Sequence, residues 1–346
     1  MKDFFFRVMD QTATRFWINN VTHIQADLAI ASGAIGCTQN PAYTWKILNG
    51  SEDKALADKI LSEIVKRERD DTKALIELQR ALIVGIAEHF MPMYQSSQGT
   101  RGYVSIQGDP INEDVDTIIA CARYNCSISP NIMAKIPVTE EGLEAIKVLA
   151  KERIPINATE CMAVQQVIDL CDTYVEATRD VERPAPIYFS LITGIYDEYI
   201  QNYVRAKGID IQKDILWQAG ITIAKKVHRI VFDRQYPVGF IGGGARGLHH
   251  FTEMIGANAS ITINWNGAAD KLLELDPPVL NYFDRPTLAS VDDTLCEKID
   301  EHRKAFFING LDRKEYETFG PVVLFRSQFV EAWDKALRYI AEFRNK

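Results

Sequence analysis

The stretch NIMAKIPVTEEGLEAIKVLAKERIPIN, Asn131 to Asn157, is the one whose reading decides the architecture. It opens on a run, Asn131–Ile136, that is nearly all apolar, as a strand covered on both faces should be. Thr139 follows, a suitable N-cap for the helical stretch that begins at Glu140-Glu141-Gly142. Within Glu141–Lys151 the apolar residues Leu143, Ile146, Val148 and Leu149 recur at helical spacing. A second β-rich run closes the stretch at Ile154–Asn157. Strand, helix and strand in one short span make a βαβ unit, and such units build parallel sheets.

The same alternation extends in both directions. Further strands are expected at Thr14–Ile18, Ile35–Thr38, Tyr103–Gln107, Ile187–Ser190, Val238–Ile241 and Ser260–Ile263, and further helices at Val164–Asp172 and Gly247–Ile255. Beyond Trp265 no strand of consequence is expected. The class is α/β. A closed (β/α)8 TIM barrel and an open doubly wound sheet both fit eight such strands. Two features favour the barrel: the conspicuous polar residues fall at the C-terminal ends of strands, and no dinucleotide fingerprint lies near the start. One domain over residues 1–346 is expected, with a helical insertion at about 42–98 and a helical segment at about 266–346. The insertion contains the charge-rich stretch Ser51–His89, with a break at Asp70-Asp71. In Val322–Phe343, Phe325, Phe329, Trp333, Leu337 and Ile340 form an apolar stripe. Such a helix docks on the barrel wall, or it caps an active site or a neighbouring subunit.

With 346 residues, 47% of them hydrophobic and 25% charged, the chain has the composition of a globular protein. The net charge of −8 disfavours non-specific nucleic-acid binding. No apolar run approaches the roughly 20 residues of a membrane span. Arg7 and Asp10 interrupt the N-terminal MKDFFFRVMDQ too early for a signal peptide. The six cysteines form no CxxC pair and read as reduced thiols, which points to the cytoplasm.

Three motifs carry chemistry. Lys135 sits inside an apolar strand. Burying its ammonium costs several kcal/mol, and that cost can turn a lysine into a neutral, nucleophilic amine; a lysine that merely ends the strand in water is the alternative. Phe240–Gly247 reads FIGGGARG, a strand followed by a glycine-rich turn with Arg246 placed to clamp an anion. Its formal GxGxxG (Gly242, Gly244, Gly247) lies too late in the chain, and has no following acid, for a dinucleotide site. In Ile156–Glu160, alternation puts Asn157 and Thr159 on one face. Metal sites look poor, because the adjacent His249 and His250 are expected to diverge on a helix.

Taken in order, these pieces resemble the transaldolase family and its fructose-6-phosphate-aldolase-like relatives. KIPVTEEGLEAI, from Lys135 to Ile146, is similar to that family's Schiff-base lysine motif. Thr38-Gln39-Asn40-Pro41 resembles its Thr-Asn-Pro turn. Tyr103–Pro110 resembles its third strand, and Asn157-Ala158-Thr159 followed by Gln165 its Asn-x-Thr strand and helix. Gly239–Gly247 resembles its Ala-Ser-x-Arg segment. The resemblance implies a barrel enzyme that needs no cofactor and works on a sugar or sugar phosphate, possible as a homo-oligomer. Lys135 would form the imine, Asn40 and Asn157 would orient hydroxyls, Thr159 would hold a water, and Arg246 would bind a terminal anion. The departures are equally specific. Asn19 stands where the family has an acid on the first strand, and Gln107 where transaldolases have a third-strand Glu. Gly244 replaces a phosphate-site Ser, Ile195 an Arg, Ile192 a Tyr and Ala163 a Ser. Glu160, Asp197 and Glu198 are the candidate replacement acids, with solvated loop charges as the alternative reading for each. A plain class I aldolase and a catalytically silent sugar-phosphate binder are the competing functions.

Overall fold

The computed structural model describes residues 3–345. Eight parallel strands close into a barrel in sequence order: β1 (Arg15–Asn19), β2 (Ala34–Thr38), β3 (Tyr103–Gln107), β4 (Ile132–Pro137), β5 (Ile156–Cys161), β6 (Ile187–Ile192), β7 (Gly239–Gly243) and β8 (Ser260–Asn264). β8 pairs with β1 over five residues, from Arg15 against Ser260 to Asn19 against Asn264, which closes the ring. No edge is left, so every strand can be apolar on its outer face and still be covered. The (β/α)8 expectation holds. Strand positions agree to within a few residues, the largest difference being β5, which continues past Asn157 to Cys161.

The N-terminal end of the lumen is plugged by Trp17, Tyr103, Met133 and Ile241, all nearly inaccessible. Gly36 on β2 makes this possible: a Cβ there would lie 2.5 Å from the Trp17 indole. Two residues further along, each of these strands turns a polar or small residue inward instead, namely Asn19, Ser105, Lys135 and Gly243.

Three helices stand between β2 and β3: Ala42–Asn49, Lys54–Arg67 and Asp71–Ser96. The break falls where expected, and Asp70 caps the third helix by accepting from Lys73 N at 2.9 Å. Thr139 likewise caps the helix Glu140–Lys151, accepting from Gly142 N at 3.0 Å. The N-terminal segment forms a helix, Phe4–Gln11, whose Phe4 and Phe5 pack on Phe16 and Phe251. The stretch expected as the helix Gly247–Ile255 is only a single turn, His249–Thr252. Among the described residues no helix is long and apolar enough to cross a membrane.

The last helix, Gly320–Arg344, settles which of its readings applies. It runs across the C-terminal mouth of the barrel and is fixed at both ends. Arg326 bonds Pro110 O and pairs with Glu113 at 3.0 Å, beside the end of β3. Arg344 pairs with Asp71 at 2.7 Å in the insertion.

Candidate active site

A cleft of about 490 Å³ opens at the C-terminal ends of the strands. Asn19, Asn40, Lys135, Gly244 and Arg246 all line it, and Phe325, Gln328 and Phe329 of the last helix roof it. The other three expected site residues, Gln107, Asn157 and Thr159, are buried beside Lys135 in the barrel wall and do not line the cleft itself.

Lys135 is 7% exposed and in no ion pair among the described residues. Burial pushes its amine down to about 8, although Glu160 pulls the other way. A sizeable fraction is therefore the neutral, nucleophilic form near neutral pH. The Nζ lies 5.9 Å from the Phe329 ring centroid, so the roof helix closes over the amine directly.

On β8, β1 and β2 the polar groups bond to one another. Thr38 donates to Asn19 Oδ1 at 2.9 Å, Thr38 and Thr262 share a bond of 2.8 Å, and Asn19 Nδ2 donates to Asn264 at 2.9 Å. Asn40 is held by Asn20, whose Nδ2 donates to Asn40 Oδ1 at 3.0 Å. Deeper in the lumen Asn157 bridges Ser105 (3.2 Å) and Ser190 (2.8 Å).

The β3–β5 side differs. Gln107 is the in-register neighbour of Lys135, and its Nε2 donates to Glu160 Oε1 at 3.1 Å. Glu160 is fully buried, so its reading as a solvated charge is corrected. Strict alternation would turn it away from the Thr159 face. Instead the β5–β6 register shifts between Ala158 and Cys161, and Glu160 takes a left-handed φ of +64°. That conformation costs a non-glycine residue about 1–3 kcal/mol. Burial raises the Glu160 carboxyl, and raises its neighbour Glu113 to about 9. Thr159 Oγ1, Gln107 Oε1 and Glu160 Oε2 are all buried and have no hydrogen-bond partner among the described residues.

The other acids serve the frame. Asp197 is buried as well, against its solvated reading. Its Oδ1 accepts from Gly220 N at 2.6 Å, and its Oδ2 lies 2.9 Å from His250 Nε2. The His249 and His250 rings do not diverge. They sit 3.9 Å apart on the single turn, with both Nε2 atoms facing Asp197 Oδ2. His250 Nδ1 lies within reach of the Arg246 amide (3.4 Å) and of the amide and carbonyl of Gly247 (both 3.2 Å), so the ring ties Asp197 to this turn of backbone. This brace holds the backbone that presents Arg246. Glu198 pairs with Arg246 Nε at 2.6 Å, and Gln328 accepts from the same guanidinium at 3.2 Å. Gln165 bonds Asp169 (2.7 Å) and Asn309 N (2.8 Å), tying the C-terminal segment to the barrel.

At Gly244 the backbone has a φ of +66°, and a Cβ would meet Ile192 at 2.5 Å and Ile195 at 3.0 Å. The three departures at Gly244, Ile192 and Ile195 are thus one packing unit. A serine side chain has no room there, and the two isoleucines fill the space beside Arg246.

The chain matches the Transaldolase/Fructose-6-phosphate aldolase family over residues 18–301. It is 33% identical over 151 residues to a transaldolase of Trichodesmium erythraeum, covering 42% of this chain and 38% of that protein. It is 25% identical over 215 residues to a transaldolase of Neisseria meningitidis, covering 56% of this chain and 59% of that protein. With a transaldolase of Saccharopolyspora erythraea the identity is 30% over 169 residues, 48% of this chain and 44% of the relative. The chain thus spans between 38% and 59% of the length of these relatives.

Proposed function

The chain belongs to the transaldolase/fructose-6-phosphate aldolase family, and from that membership we propose that it cleaves or transfers a dihydroxyacetone-type unit of a ketose through an imine on Lys135. The observation that carries this reading is the state of Lys135: buried, outside any ion pair, and lowered to about 8. A protein that only bound sugar phosphates would gain nothing from an ammonium placed at this cost.

The Lys135 amine adds to the ketose carbonyl, and loss of water leaves an iminium. The iminium accepts the electron pair of the C3–C4 bond as that bond breaks, the aldehyde departs, and an enamine stays on the lysine. Asn40 and Ser190 face the cleft with groups suited to sugar hydroxyls. Asn157, locked between two serines, serves to fix the lumen beside the amine. Transfer to a second aldehyde is favoured over hydrolysis, because Phe325 and Phe329 cover the amine and limit water.

Among the described residues Arg246 is the one guanidinium lining the cleft, and it is already paired with Glu198. The far end of the substrate therefore carries one phosphate or none. The test is to incubate the protein with ketoses and ketose phosphates in the presence of borohydride and to map adducts by mass. An adduct on Lys135 is expected, and its size identifies the retained unit. A folded protein that traps no ketose overturns the proposal.

A further inference from the structure

Three oxygen atoms beside Lys135 stand out because buried polar groups nearly always have partners. Thr159 Oγ1, Gln107 Oε1 and Glu160 Oε2 have none among the described residues, and their residues are 0%, 1% and 0% exposed. Gln107 joins the set to the lysine, since it pairs with Lys135 in the sheet and bonds Glu160 through its amide. The left-handed backbone at Glu160 accompanies the shift of the β5–β6 register. Its effect is to bring a carboxyl to this place.

We propose that Glu160 is the proton-transfer residue of the Lys135 reaction, and that its free Oε2, with Thr159 Oγ1 and Gln107 Oε1, holds the hydroxyl lost and regained at the imine carbon. This rests on the imine reading above. The protons balance over one cycle. Neutral Lys135 adds to the carbonyl, and the amine proton moves to oxygen to give a carbinolamine. Glu160 in its acid form protonates that hydroxyl, water leaves, and an iminium and a carboxylate remain. The carboxylate then takes the proton of the C4 hydroxyl, relayed through the water just released, as the C3–C4 bond breaks, which yields the aldehyde, the neutral enamine and the Glu160 acid again. Addition to a new aldehyde runs the last step in reverse. For hydrolysis the Glu160 acid first protonates C3 of the enamine; the resulting carboxylate takes a proton back from the water that attacks the iminium, and the carbinolamine expels the neutral amine as its hydroxyl proton passes to nitrogen.

The surroundings suit both charge states. Burial favours the neutral carboxyl, and the iminium cation stabilises the carboxylate once it forms. The charged groups facing Glu160 are Lys135 on β4, Glu113 after β3, and Arg326 and Glu317 at the last helix. Gln107 faces Glu113 as well as Glu160, so it sits between two carboxyls. Asn19, by contrast, has no proton to exchange and is fully engaged with Thr38 and Asn264.

The experiment compares ketose cleavage and borohydride trapping in the wild type, in Glu160→Gln, and in the exchange variant that carries both Gln107→Glu and Glu160→Gln. Glu160→Gln is expected to lower kcat about 100-fold or more and to lose the alkaline limb of the kcat–pH profile. The exchange variant is expected to recover to within about tenfold of wild type, because it returns an acid to the same cluster. A folded Glu160→Gln with wild-type kcat and pH profile overturns the proposal, as does a folded exchange variant that recovers nothing. A wild-type profile with no alkaline limb overturns it without any variant. If the wild type traps ketose on Lys135 and these tests fail, only the role of Glu160 falls. If the wild type traps nothing, the imine reading falls first.

Discussion

On the arc made by β8, β1 and β2, Asn264, Asn19, Thr38 and Thr262 bond to one another in an unbroken chain. On the arc made by β3, β4 and β5, Gln107, Thr159 and Glu160 are at least as deeply buried, yet each leaves an oxygen unsatisfied beside a lysine. The first arc contains only amides and hydroxyls, which do not titrate in the working range. Its satisfied bonds hold the mouth in shape. The second arc contains an amine whose proton affinity burial lowers and two carboxyls whose proton affinities it raises. Polar residues at the rim of one barrel thus divide into a set that maintains geometry and a set that can exchange protons.

Lys135→Met offers the sharpest break in this contrast. Met keeps the stem volume and removes the amine, so turnover should fall by about 10⁴-fold or more with the fold intact. Retained turnover, measured with the substrate that labels the wild type, would end the comparison. The pH dependence comes next. With the amine at about 8, protonation removes the nucleophile below that pH. The trapping rate should therefore rise about tenfold per unit on approach to 8, before the alkaline limb that Glu160 imposes. A rate independent of pH between 6 and 8 would mean that another group is trapped. Phe329→Ala thins the roof over the amine. The fraction of bound three-carbon unit lost to hydrolysis should grow several-fold, read as the ratio of free to transferred product. Asn19→Asp should do least. Asn264 is exposed, so its amide can turn over and donate to the new carboxylate, and stability should change by less than about 1 kcal/mol. Turnover should stay within about threefold of wild type; a gain near 100-fold would move proton transfer to the β1 arc.

Legibility in the sequence follows the same division. A lysine inside an apolar strand followed by a capped helix is a conflict that patterning exposes, which is why Lys135 could be singled out. The barrel was readable because eight buried strands alternate with helices. Glu160 was hidden by its type and its place. A charged residue after Asn-Ala-Thr looks like the start of a loop, and alternation turns it away from Thr159. Only the bulge reverses that, and a bulge is set by tertiary pairing with β6. The convergence of His249 and His250 was hidden for a related reason. The expected long helix is one turn, and Asp197, some fifty residues earlier in the chain, organises it. The packing of Gly244 with Ile192 and Ile195 links two loops and shows in neither alone.

The plug of Trp17, Tyr103, Met133 and Ile241 has a consequence for selectivity. Met133 lies one inward step below Lys135 on the same strand, so nothing attached to the lysine can descend further. On the proposed function, a ketose held there would be measured from a fixed zero. The short end of the sugar must fit between the amine and an unyielding floor, while the long end extends toward the mouth. Branching or lengthening on the carbonyl side should be refused outright, and extra carbons on the aldehyde side tolerated. The barrel would then work as a depth gauge that reads one end of such a substrate strictly and the other loosely.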